Sequence, residues 1–182
     1  KIEVKINVAA KPTVLTPAVA YCLNDKASAL SASGTDLKWY LTLTDTNPRT
    51  SPLIPFTEKV DDYSFYVTQT QKIGTTTCES AKAEIKVHIK PLPSATISGN
   101  SSIELGQTAT INVSFTGDAP WAYVLSDGQT GSTSNANLQL RVSPTVTTNY
   151  QITEVSNACG KGLQNGLALV TVLIPTITTG AP

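Results

Sequence analysis

Few side chains in this sequence have types and spacing that could do chemistry. His88 is the only histidine, on the polar phase of the alternating run Glu84-Ile85-Lys86-Val87-His88-Ile89. A triad needs a base beside a nucleophile, and a zinc centre needs further ligands. A lone strand histidine instead reads as a surface or edge residue. Glu58, Asp61 and Asp62 form the densest acidic group. Paired carboxylates suit Ca²⁺, but no Asp-x-Asp-x-Asp-Gly loop surrounds them, so a solvated turn is expected. Trp121, Tyr123 and Asp127 could stack on and hydrogen-bond a sugar, and they are the candidate glycan contacts. The competing reading puts Trp121, like Trp39, in a sandwich core, with Asp127-Gly128 as a turn. Asn100-Ser101-Ser102 and Asn112-Val113-Ser114 are formal glycosylation sequons. No phosphate-cradling or dinucleotide glycine motif occurs. The expectation is a non-enzyme with no catalytic residue, no metal ligand and no cofactor.

The three cysteines carry a redox argument. Cys22 and Cys78 could meet if the first strand of a sandwich lies near the beginning of the last. Such a bridge would close a 57-residue loop (22 to 78 inclusive), worth roughly 4 kcal/mol in the chain-entropy model. It would persist only outside a reducing cytosol. Two buried free thiols are the alternative. Cys159 is expected to be a buried thiol or to pair outside the chain.

The elements that must position these residues are strands. Of 182 residues, 14% are charged, with 13 basic and 13 acidic side chains; 27 Thr and 16 Ser supply the polarity instead. Thr-rich, alternating sequence favours β-structure. Zero net charge gives no basic face for nucleic acid and no polybasic membrane anchor. The longest apolar run, Leu167 to Ile174, is too short for a spanning helix, so no membrane insertion is expected. Residues 1–92 carry 11 basic and 9 acidic groups, and 93–182 carry 2 and 4. No signal peptide is visible and the first residue is Lys, which reads as a piece of a longer polypeptide.

A repeat sets the organisation. Glu3-Val4-Lys5-Ile6-Asn7-Val8 recurs 81 residues later at Glu84–Ile89, and again 85 later at Leu169-Val170-Thr171-Val172-Leu173-Ile174. Each copy runs into a proline-containing break, as a last strand entering a linker would. Tyr63-Ser64-Phe65-Tyr66-Val67-Thr68 and Tyr150-Gln151-Ile152-Thr153-Glu154-Val155 form a second matched pair, each with a Trp upstream and a Cys downstream. The expected division is a last-strand stub or linker at 1–10, modules at 11–91 and 92–176, and a tail at 177–182. In the second module strands are expected at Ala95–Ser98, Gln107–Phe115, Trp121–Leu125, Leu138–Val142, Thr147–Ser156 and Leu167–Ile174. This count and spacing predict an all-β fold of two tandem immunoglobulin-like sandwiches.

Tyr21-Cys22-Leu23-Asn24, Leu37-Lys38-Trp39-Tyr40, Tyr63–Thr70 and Cys78-Glu79-Ser80 resemble the Ig-like repeats of secreted, surface-exposed Bacteroidota proteins. Gly106–Thr110, Phe115–Trp121, Val142–Thr145, Thr148–Tyr150 and Asn157–Gly160 are similar to a companion repeat in such proteins. The resemblance implies export through the type IX system, an extracellular or cell-surface location, a role in adhesins or large filaments, and a Cys22–Cys78 bridge. It implies neighbouring Ig-like domains of the same polypeptide as partners, with surface glycans or self-association as further ones. A spacer or adhesion module is the expected function. A carbohydrate-binding or accessory module of a polysaccharide-degrading enzyme is the alternative.

Overall fold

The computed structural model describes residues 8–174. These are strand and connection throughout, with no helix among the described residues. The chain divides into two compact units, Lys1–Lys90 and Pro91–Pro182.

In the first unit the strands are β1 (Thr13–Val14), β2 (Ala18–Cys22), β3 (Ala32–Ser33), β4 (Lys38–Tyr40), β5 (Asp62–Thr68), β6 (Thr70–Ile73), β7 (Thr76–Glu79) and β8 (Ala83–Lys90). One layer is the sheet β2-β8-β5-β4. Strict alternation in β8 turns Ala83, Ile85, Val87 and Ile89 inward and Glu84, Lys86 and His88 outward. β8 pairs antiparallel with β5 and parallel with β2. The opposite layer is thin: β1 pairs with β3 over two residues. The connection after β4 forms no named strand before β5, and Pro48, Pro52 and Pro55 explain this by removing ladder donors. It still closes the core: Leu53 is buried and its carbonyl accepts the Leu30 N–H at 2.8 Å. Trp39 fills the centre with Leu30, Phe65, Val67 and the inward face of β8.

The second unit carries β9 (Ser94–Ser98), β10 (Ser101–Glu104), β11 (Ala109–Thr116), β12 (Trp121–Leu125), β13 (Thr130–Thr133), β14 (Asn137–Val142), β15 (Thr148–Tyr150), β16 (Ile152–Asn157), β17 (Gly160–Lys161), β18 (Leu163–Gly166) and β19 (Ala168–Leu173). The sheets are β14-β11-β9-β18, β13-β12-β16-β17 and β10-β19-β15. β17, β18 and β19 succeed one another in a broken last strand that visits all three. The inward residues of β11 (Ala109, Ile111, Val113, Phe115) face Trp121, Tyr123 and Leu125 of β12 across the core. Each unit is an immunoglobulin-like sandwich, and the fold is all-β.

β8 and β19 occupy equivalent places. Each is held between an early strand running parallel to it (β2 or β10) and an antiparallel neighbour (β5 or β15). β10, β13, β17 and β18 lie outside the strands expected from sequence. Ser101-Ser102-Ile103-Glu104 has one apolar residue, so it shows no alternation. Of the stub at 1–10, residues 1–7 lie outside the described residues, as does the tail at 177–182. Ala10 is held by Gln69, whose Nε2 donates to its carbonyl at 2.8 Å, and by Gln71, whose Oε1 accepts its N–H at 3.2 Å.

Candidate functional site

The densest polar cluster lies on the first unit's outer sheet face. Lys38 stands opposite Thr68 across β4 and β5, and Tyr40 is two residues further on the same strand. The β6–β7 hairpin brings Glu79 to them. Its Oε2 accepts from Lys38 Nζ at 2.6 Å, and its Oε1 accepts from Tyr40 Oη at 2.5 Å and Thr68 Oγ1 at 2.8 Å. These donors, led by Lys38, hold the carboxyl at about 2. The ammonium of Lys38 is stabilised in return by its bond to Glu79, and burial pushes the Tyr40 phenol up. Lys82 lies 4.0 Å from the centre of the Tyr40 ring and donates to the carbonyls of Leu43 and Asp45 at 2.7 Å each. Both Glu79 oxygens are engaged and the carboxyl stays ionised. The arrangement therefore pins the hairpin to the sheet, and Glu79 itself carries no proton to donate near neutral pH. None of its members was a candidate from sequence, because residues 38, 40, 68 and 79 meet only through strand pairing.

Toward the other end of β5 a groove of about 410 Å³ is lined by Ala18, Asp62, Ser64, Glu84, Lys86 and His88 among others. Asp62 faces His88 in register, and its Oδ1 lies 2.5 Å from His88 Nδ1. His88 is thus a surface residue with a carboxylate partner. Ser64 lies two residues along β5, but its hydroxyl donates to Glu84 Oε1 at 2.7 Å. Nucleophilic catalysis needs that hydroxyl on the imidazole, so the trio does not form a relay. The acidic group of Glu58, Asp61 and Asp62 is divided, since Asp61 takes Lys59 at 2.7 Å while Asp62 takes His88. Among the described residues no three His, Cys, Asp or Glu side chains are placed to hold a metal ion.

The structure places the candidate glycan contacts differently from that expectation. Trp121 is 4% exposed and Tyr123 8%. Positions 121, 123 and 125 share the inward phase of β12. Trp121 stacks on Phe115 at 5.4 Å between centroids and donates its Nε1–H to the Thr116 carbonyl at 2.9 Å. Tyr123 lies over Gly131, its partner on β13, where a Cβ would strike the ring. Neither ring presents a face to a sugar, and the platform is withdrawn. Asp127 shapes the β12–β13 turn, accepting from Gln129 N–H at 3.0 Å and from Gln129 Nε2 at 2.8 Å. Tyr63 is half-buried and tilted against Phe65, and Tyr150 is buried.

The Cys22–Cys78 bridge is not formed. Cys78 is a free cysteine, whereas Cys22 and Cys159 are disulfide-bonded. Cys22 lies opposite Lys90, because β2 runs parallel to β8. Cys78 lies before β8 begins at Ala83, near its other end. The seven steps from Ala83 to Lys90 span about 23 Å of strand, far beyond the ~4.4–6.8 Å between Cα atoms that a disulfide permits.

No family model and no curated protein matches the chain. Similar solved structures include a three-Ig titin segment carrying E-to-A substitutions (12% identity, TM-score 0.45, covering 91% of this chain and 66% of that one). Others are a chimeric titin Z1Z2 functionalised with a KLER peptide from decorin (11%, 0.35, 91% and 99%) and Drosophila N-cadherin EC1-4 (12%, 0.31, 90% and 50%). The fold assignment rests on the strand topology itself.

Proposed function

We propose that this chain is a structural and adhesive segment of a larger extracellular surface protein or filament, in which Ig-like modules act as spacers and transmit tension. The observation that carries this reading is the parallel clamp repeated in both units. β2 pairs with β8 from Ala18↔Lys86 to Cys22↔Lys90, and β10 pairs with β19 from Ser101↔Val170 to Glu104↔Leu173. In each unit an early strand is zipped alongside the last one, pointing the same way. Tension applied through the ends slides these strands along their own axes. Their backbone bonds are then strained together instead of being peeled one by one. Cystine at Cys22 and Cys159 favours an oxidising compartment, and the Thr- and Ser-rich surface suits a solvated stalk. The partners on this reading are neighbouring Ig-like modules of the same polypeptide. The motif resemblance adds a Bacteroidota surface protein exported by the type IX system.

The test is protease shaving and antibody labelling of intact, unpermeabilised cells of the source organism. Surface staining that shaving removes is the expected result. Recovery of the chain only from the reduced cytosolic fraction would overturn the proposal.

A further inference from the structure

The sheet β14-β11-β9-β18 stops at β14, and among the described residues no strand pairs with its outer edge. The register sets the phase of that edge. β11 and β14 pair Ala109↔Val142, Ile111↔Leu140 and Val113↔Leu138, and Phe115 N–H donates to the Ala136 carbonyl at 2.8 Å. The even-numbered residues of β14 therefore spend their backbone groups on β11. Asn137, Gln139 and Arg141 turn their N–H and C=O groups outward. All three are exposed, while Leu138 and Leu140 beside them are only half-buried.

Proteins blunt such edges with brevity, lysine, proline or a bulge. β14 carries one charge on this edge, Arg141, but no lysine, proline or bulge: it is six residues long, Asn-Leu-Gln-Leu-Arg-Val, in unbroken register with β11. Among the described residues the other edge strands are shorter than β14, and some are partly occupied. β13 has four residues including Gly131. β4 has three and is bridged to Arg49 through Trp39. At β2 the Cys22 N–H is taken by Asp25 at 2.8 Å.

We infer that β14 is a homotypic pairing edge, and that its occupant is β14 of a second copy of this chain, added antiparallel about Leu140. The edge is self-complementary in that register. Leu140 faces Leu140, Leu138 faces Val142 on the core side, and Gln139 faces Arg141 twice on the outer side. No like charges oppose each other. Shifting the centre to Arg141 would set two guanidinium groups face to face, which is disfavoured. Centring on Gln139 gives three outward hydrogen-bonded residue pairs, whereas centring on Leu140 gives four, counting Asn137 against Ser143. This association is independent of the tension-bearing reading above and of where the protein resides.

The test is sedimentation equilibrium of the full chain from about 10 µM to about 1 mM at low salt, with Gln139→Glu and Gln139→Lys. Position 139 is exposed and its N–H points away from β11 by the register, so both variants should melt like the parent. The parent should show a concentration-dependent dimer. Gln139→Glu puts a carboxylate opposite each Arg141 and should tighten it by about 2- to 30-fold; Gln139→Lys should loosen it by a similar factor. In hydrogen exchange the amides of Gln139 and Arg141 should gain protection as concentration rises. A parent that stays monomeric throughout overturns the inference, as does a dimer indifferent to both substitutions. Loosening by both variants overturns the register.

Discussion

Replacing Glu79 with Gln should destabilise the first unit, and the loss should depend on pH. The variant keeps an oxygen for Tyr40 and Thr68 but removes the charge that Lys38 pairs with at 2.6 Å. The carboxyl sits at about 2 in the folded chain against an ordinary 4.5. At about 1.4 kcal/mol per pH unit that gap corresponds to roughly 3 kcal/mol. The side chain is 34% exposed, so solvent screening reduces the contribution to about 1–2 kcal/mol. Because the folded-state pKa is depressed, the contribution is complete above 4.5 and is lost as the pH falls toward about 2. The assay is thermal and urea unfolding of Glu79→Gln against its parent from pH 7 to pH 2. Both would be made in a Trp121→Phe background, so that fluorescence reports Trp39 and hence the first unit. At pH 7 the variant should melt about 5–15 °C lower, and the two curves should converge near pH 2. A difference that stays constant across the range, or none at pH 7, refutes the assignment of Glu79 as the charged anchor of the hairpin.

Further outcomes follow from the packing and the cysteines. Gly166 has φ +85° and a Cβ there would collide with the Ile97 carbonyl, so Gly166→Ala should cost the second unit at least about 2 kcal/mol by urea titration; a neutral effect contradicts the β18–β9 pairing. Alkylation of the unfolded, unreduced protein followed by peptide mass mapping should modify Cys78 alone; label on Cys22 or Cys159 contradicts the cystine assignment. Trp121 fluorescence, read in a Trp39→Phe background, should be blue-shifted, resistant to acrylamide and unmoved by soluble glycans; quenching typical of exposed indole would restore the sugar platform.

Much of the fold was legible because long strands with one wet face write their geometry as alternation. β8 and β11 show this directly, and the 85-residue offset between β8 and the largely apolar β19 made the two sandwiches readable. The polar and short strands were not legible. Thr130–Thr133 and Leu163–Gly166 are strands by virtue of backbone pairing with β12 and β9, which leaves no apolar period behind. Trp121 was ambiguous because Gly117-Asp118-Ala119-Pro120 places it beside a loop, while its phase with Tyr123 and Leu125 turns it into the core. The Cys22–Cys78 expectation failed on strand direction. Order along the chain says which strands are first and last, but only the parallel pairing of β2 with β8 shows that Cys22 lies at the far end. The Glu79 cluster had no signal at all, since its members are ordinary residues until two strands and a hairpin converge.

The parallel clamp is the claim on which the mechanical role depends, and pulling the first unit in two directions tests it. Attached through its N-terminal end and a point just beyond Lys90, the unit loads β2 against β8 lengthwise. Attached through the same N-terminal end and a cysteine at the exposed Ala81, it peels the same strands from one end. With reductant present and equal loading rates, the lengthwise geometry should rupture at clearly higher force. Equal forces, or a stronger peeling geometry, would contradict a role in bearing tension.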